Sequence, residues 1–197
     1  MKRQALASSI APAAALLVCT ACSGGPSHTR PAATPSTAAS RTTTAPKGPF
    51  TLGRGQGFDA SGAFISLMTC ASPHDYSPGL TIANVPAGTA QLALSMVDLE
   101  NRKIQWLQVN IPATTRKLKA HTLTPGAREL LNDLGEATYD GPCPSPGHTH
   151  QYRLTLYALH NALRKSFGEN SSPRQILAEL QSRADATAVL VAPYTRH

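Results

Sequence analysis

Beyond about residue 60, hydrophobic and polar positions alternate in short runs. Apolar or alternating stretches fall at 64–68, 80–83, 91–97, 104–111, 151–159 and 188–191. Each is bounded by Gly, Pro, Asn or Ser, the residues that punctuate strands. In the fifth stretch Tyr152, Leu154, Leu156 and Ala158 share one face, while Arg153, Thr155 and Tyr157 share the other, because successive strand side chains point in opposite directions. Many short strands between turn signals predict an all-β-dominated fold, an antiparallel β-sandwich. Helical spacing is scarce. Ser172-Pro173 reads as an N-cap followed by a proline at the first helical position. Ile176, Leu177, Leu180 and Ala184 then recur at helical spacing, so a short C-terminal helix should reach about Ala184 and pack one stripe on the sandwich. A weaker helix is expected at 127–131, and no internal repeat is present.

The N-terminal pattern differs in kind. Lys2 and Arg3 precede an apolar stretch from Ala5 to Val18, too short to cross a bilayer, which takes roughly 20 residues. Small residues then lead to Cys22, with Ser-Gly-Gly after it. This reads as a bacterial lipoprotein signal over 1–21 with Cys22 as the lipidated first residue, the alternative being an ordinary secretory signal. Both put the remainder outside the cytoplasm, on the outer face of the cell membrane if lipidated. Residues 22–48 hold Ser, Thr, Ala, Pro, Gly, a few basic residues and one His after the cysteine. Nothing there can offset the entropy of ordering, so the segment is expected to be a disordered tether. Residues 49–197 are one domain's worth of chain.

Charge narrows the partners. The formal net charge is +7, and Lys2 and Arg3 account for two of those charges, leaving +5 without the signal. The basic residues are scattered rather than interleaved with aromatics, which argues against nucleic acid. Mild attraction to anionic lipid is the expected consequence. His148-Thr149-His150 lacks a neighbouring Cys/Asp/Glu set in sequence, so no metal is expected there. No G-x-S-x-G elbow occurs, and Gly53-x-Gly55-x-Gly57 has neither the spacing nor the Lys of a phosphate loop. No cofactor is expected.

The densest chemistry lies at 139–159, YDGPCPSPGHTHQYRLTLYAL. Its prolines stiffen a polar loop that runs straight into a strand, a common way to build a small-ligand site. Together with SLMTCASPHDYSPGL (66–80), VPAGTAQLALSMVD (85–98) and IQWLQVNIPA (104–113), it resembles the phosphatidylethanolamine-binding protein family, in its bacterial branch often labelled Raf-kinase-inhibitor-like. The resemblance implies an antiparallel sandwich with a small anion pocket at one end. It assigns that pocket to Asp98, to Pro142 and Pro144 of the GPxP loop, and to the H-x-Y pair His150 and Tyr152. The position of the family's pocket histidine is Gln105, next to Trp106, and Asp75 falls where an acid supports the site from below. Cys70 and Cys143 sit on two loops that the resemblance puts near the pocket. In an exported protein they are expected to form a disulfide, the alternative being two separate thiols.

This sequence departs from the family on one wall. The Asp-Pro-Asp-Ala-Pro turn is replaced by Asp98-Leu99-Glu100-Asn101-Arg102, and Gln105 removes a group that could be cationic. A phosphate-like ligand thereby loses a charge-assisted contact, about twice as strong as a neutral one. Bland readings stand beside each residue: His150 bridging backbone groups, Asp98 holding turn amides, Gln105 lining without binding, Trp106 in the core. The expected function is a non-enzymatic, lipid-anchored binding protein for a small phosphoryl or carboxylate anion or a phospholipid headgroup. A module inhibiting a protease or kinase is the alternative. A hydrolase using Asp98 and His150 is disfavoured, because only Ser145 and Cys143 lie close as nucleophiles.

Overall fold

The alternating stretches become strands almost where the pattern puts them. The computed structural model describes residues 48–161, 163, 167 and 171–197. The expected signal, Cys22 and the tether up to residue 47 lie outside these. In chain order the elements are β1 (Thr51–Arg54), β2 (Leu80–Ala83), β3 (Gln91–Asp98), β4 (Ile104–Pro112), β5 (Lys117–Leu118), β6 (Arg128–Glu129), β7 (Thr149–Leu159), α1 (Pro173–Arg183) and β8 (Ala186–Thr195). All pairings are antiparallel. One sheet runs β1-β2-β5, the other β6-β4-β3-β7-β8.

The larger sheet is the middle layer. One of its faces contributes Leu92, Leu94, Met96, Trp106, Leu154 and Leu156 to a core shared with Leu52, Leu80 and Ile82 of the smaller sheet. The other face packs Ala93, Leu107, Val109 and Tyr157 against Ile176 and Leu180 of α1. Burial on both faces explains why β3 reads as a nearly continuous apolar run. The helix begins as its sequence indicates. Ser172 accepts from the Gln175 backbone N–H, and the Gln175 side chain accepts from the Ser172 backbone N–H, a complete capping box with Pro173 behind it.

Two expectations are corrected. The stretch 64–68 is not a strand: Phe64 makes an isolated bridge with Phe58, and Ser66–Met68 is a 3-10 turn. Its amides bond locally, Met68 N–H to Ile65 O and Thr69 N–H to Ser66 O, while buried Phe64 and Met68 pin the turn to the core. The helix expected at 127–131 is instead the two-residue strand β6, paired with Gln108 and Val109 of β4. Five residues give too little return for helix nucleation, and the neighbouring backbone offers Leu130 N–H the Leu107 carbonyl at 3.0 Å.

Strand β8 lies at one edge of the larger sheet, and its last part is covered. Arg54 donates to the Val191 carbonyl at 2.8 Å, and Phe64 N–H to the Pro193 carbonyl at 3.0 Å.

Candidate functional site

Three segments meet at the end of the larger sheet where β3 stops and β4 and β7 begin. The loop before β7 is fastened from outside. Cys70 and Cys143 form a disulfide with Cα atoms 5.3 Å apart, as expected, and the Cys70 N–H donates to the Pro142 carbonyl at 3.3 Å. Asp75 accepts from the Gly141 N–H at 2.9 Å, and the Tyr139 hydroxyl donates to the Met68 carbonyl at 2.8 Å. Gly141 is required by this close approach: a Cβ would stand 2.6 Å from the Met68 oxygen and 2.9 Å from Thr69 Cα. Pro142 and Pro144 are buried, while Cys143 is exposed. Burial pushes the Asp75 carboxyl up to about 6, against the lowering effect of the Gly141 N–H and with help from Asp140 and Glu136.

Register brings the sequence-designated residues together. Asp98 ends β3 directly opposite Tyr152, and His150, two residues before Tyr152, lies on the same face. The His150 Nδ1 and Asp98 Oδ2 are 2.7 Å apart. Asp98 is 2% exposed, and its other oxygen accepts the N–H groups of Glu100 at 2.9 Å and Asn101 at 3.3 Å. Asp98 therefore holds turn amides, the plainer of the two roles considered for it, and also pairs with His150, which the sequence did not indicate. Burial raises its carboxyl, but the bonds from His150, Asn101 and Glu100 outweigh that and hold it below the ordinary value. Tyr152 is fully buried. Its hydroxyl faces the Asp98 carboxylate and the Cys143 N–H without forming a hydrogen bond of ordinary geometry with either. Burial first, then the Asp98 charge, push its pKa far up.

Gln105 opens β4 as the second residue of the strand and is buried. Its amide nitrogen donates to Gly141 O at 3.0 Å and Asp140 Oδ2 at 3.3 Å. Both partners are acceptors, so the amide orientation is fixed, and Oε1 stays buried without a partner. A glutamine amide offers both a donor and an acceptor. The fold uses the donor internally and leaves only the acceptor. Trp106 is core, as expected, with its indole N–H on Glu129 at 2.8 Å.

One residue of the site was missed. Glu100 accepts the Gln151 N–H at 2.8 Å, and Asp98, Glu100 and His150 present ligand atoms within 4.8 Å of one another. His150, though not His148, therefore has two carboxylates near it in space that the sequence does not place beside it. The spacing Asp98-x-Glu100 at a strand end was the available signal. Such a set has the chemistry to take a divalent cation, although both Asp98 oxygens, His150 Nδ1 and Glu100 Oε2 already make the bonds just described. Of the two nucleophiles near the loop, Cys143 is tied up in the disulfide.

An antiparallel sandwich with a polar, loop-built site at one sheet end defines a class of binding protein. Residues 56–195 match the family described as phosphatidylethanolamine-binding protein, and the chain belongs to that family. It is 32% identical over 130 residues to UPF0098 protein YbcL of Escherichia coli (strain K12), covering 60% of this chain and 70% of that one. A UPF0098 protein of Aquifex aeolicus is 33% identical over 102 residues, 47% of this chain and 58% of its own. LppC of Mycobacterium tuberculosis, named as a lipoprotein, is 33% identical over 109 residues, 53% of this chain and 54% of its own. The match thus spans little more than half of the last two proteins. The crystal structure of YbcL, described as a member of the mammalian PEBP family, superposes with a TM-score of 0.66 at 25% identity, covering 76% of this chain and 100% of that one.

Proposed function

We propose that this chain is an exported, lipid-anchored binding protein that holds a small phosphoryl- or carboxylate-bearing ligand and does not transform it. The ligand would lie among Asp98, Gln105, Pro142, Pro144, His150 and Tyr152. The observation that carries this reading is the buried, unpartnered Tyr152 hydroxyl beside a histidine whose Nδ1 is held by Asp98. A buried hydroxyl without a partner costs about 1–3 kcal/mol, and a ligand oxygen would remove that cost. The other ring nitrogen of His150 can meet the same ligand. Gln105 adds a condition, since its Oε1 can only accept. The preferred ligand therefore carries a donor as well as acceptor oxygens, as a monoprotonated phosphate or phosphorylethanolamine does.

Calorimetric titration of the purified domain tests this. Phosphorylethanolamine is expected to bind more tightly than phosphate, and phosphate more tightly than acetate. His150→Ala should weaken binding about tenfold or more. No binding by the wild type, or equal binding after His150→Ala, sinks the reading. Lipidation at Cys22 is supported by the signal-like pattern at 1–21 and by the lipoprotein name of the mycobacterial relative. Metabolic labelling with palmitate should mark the wild type and not Cys22→Ser.

A further inference from the structure

A groove of about 560 Å³ runs along the outer face of the larger sheet beside α1, within the volume range of small-molecule sites. Its rows follow from register. Val97 pairs with Arg153, then Ser95 with Thr155, and β8 continues the second row with Val189. The helix packs over the next row, where Tyr157 and Leu180 belong to one buried cluster. In the first two rows Ser95 and Thr155 are buried as well, while Arg153 is exposed. Leu177 and Gln181 of α1 line the rim. Val189 remains 53% exposed.

The charge of this groove is one-sided. Arg102 and Arg153 line it, and none of its lining residues among those described is acidic. Neither guanidinium makes an ion pair or a side-chain hydrogen bond among the described residues. Arg102 is held at φ 65, in the left-handed region, by its N–H bond to the Asp98 carbonyl at 3.0 Å. That turn gives Arg102 to the groove while giving Asp98 and Glu100 to the site around His150. Behind the arginines, Ser95 and Tyr157 share one hydrogen bond at 3.1 Å, so one of their two hydroxyl protons stays available. From Arg153 to Tyr157 the strand extends about 13 Å, with Val97, Leu99, Val189 and Leu177 along the walls.

We propose that this groove is a second binding site, for an anionic amphiphile: a phosphate or carboxylate head at Arg102 and Arg153, and a hydrocarbon chain along the aliphatic strand face. Paired guanidinium groups suit such heads, because each offers a planar fork of donors. The apolar walls gain by removing an alkyl chain from water. Residues 23–48 carry Arg30, Arg41 and Lys47 and no acid, so the chain's own N-terminal segment offers these arginines no opposite charge.

The test titrates the protein with dodecyl phosphate below its micelle concentration, with inorganic phosphate and dodecyltrimethylammonium as separate arms, read by NMR amide shifts and calorimetry. Dodecyl phosphate should shift the amides of Ser95, Thr155 and Val189. Inorganic phosphate and the cationic amphiphile should bind this face at least tenfold more weakly. Arg153→Gln and Arg102→Ala should each weaken dodecyl phosphate about tenfold. Val189→Glu, an exposed change that places an acid in the groove, should do the same. His150→Ala should leave the groove shifts unchanged, which separates this proposal from that for the site around His150. Shifts confined to the His150 end overturn it, as does equal affinity for inorganic phosphate or for the cation. Full affinity in Arg153→Gln also overturns it.

Discussion

The Tyr152 hydroxyl is buried without a partner, so removing it asks what it is for. Tyr152→Phe should leave stability in urea unchanged or raise it by about 1 kcal/mol, while phosphate binding weakens several-fold. A destabilised variant with unchanged affinity would contradict that. Asp75 and Asp98 make opposite contributions to pH dependence. The Asp75 carboxyl sits at about 6 in the fold against an ordinary 3.8. The unfolded chain gives up that proton first, so stability falls as pH rises from about 4 to about 6. Asp98 is held below 3.8. Its contribution is present above that ordinary value and is lost as pH falls through the lower folded one. Urea midpoints measured across this acid range should show Asp75→Asn flattening the decline at about pH 4–6 and Asp98→Asn removing the loss at lower pH.

At the scale of elements, the legible parts were those where one periodicity dominated. The five stretches that became β2, β3, β4, β7 and β8 were each recovered to within a few residues at either end, and the start of α1 was read from Ser172-Pro173 alone. Strands β5 and β6, of 2 residues each, are too short for a period to register, and long-range pairing decides them. Strand β1 was missed because Gly53 and Arg54 break its apolar pattern. The stretch 64–68 misled because Phe64 and Met68 are core anchors on a loop, and apolar spacing does not distinguish an anchor from a strand. Asp98, His150 and Tyr152 were legible as a set only through the resemblance to the family, which aligns two of them with an H-x-Y motif and one with a strand end. The Gln105 amide orientation was not, because it depends on Asp140 and Gly141, 35 and 36 residues away. Two substitutions test the elements themselves. Ser172→Ala should cost about 1 kcal/mol by removing the cap. Gly141→Ala should cost about 2–3 kcal/mol, since the Met68–Thr69 backbone has to move.

Across the whole molecule, the disulfide joins segments 73 residues apart, one from the 3-10 turn region and one from the loop before β7. On the chain-entropy account such a closure contributes about 4 kcal/mol. Cys70→Ser with Cys143→Ser, or reduction by dithiothreitol, should lower Tm by about 10 °C, checked by calorimetric scanning of both redox forms. An unchanged Tm would mean that the other contacts of the loop before β7 suffice to hold it.

The covered edge at β8 governs how the protein behaves when crowded with copies of itself. An edge strand with free amides and carbonyls invites another chain to add a strand and, repeated, to grow a fibre. Here the Val191 and Pro193 carbonyls are taken by Arg54 and Phe64, and Pro193 has no N–H to offer an incoming strand. At Val191 this protection comes from a single arginine reaching over from β1. Arg54→Ala should leave the monomer folded and show itself in light scattering, as concentration-dependent assembly.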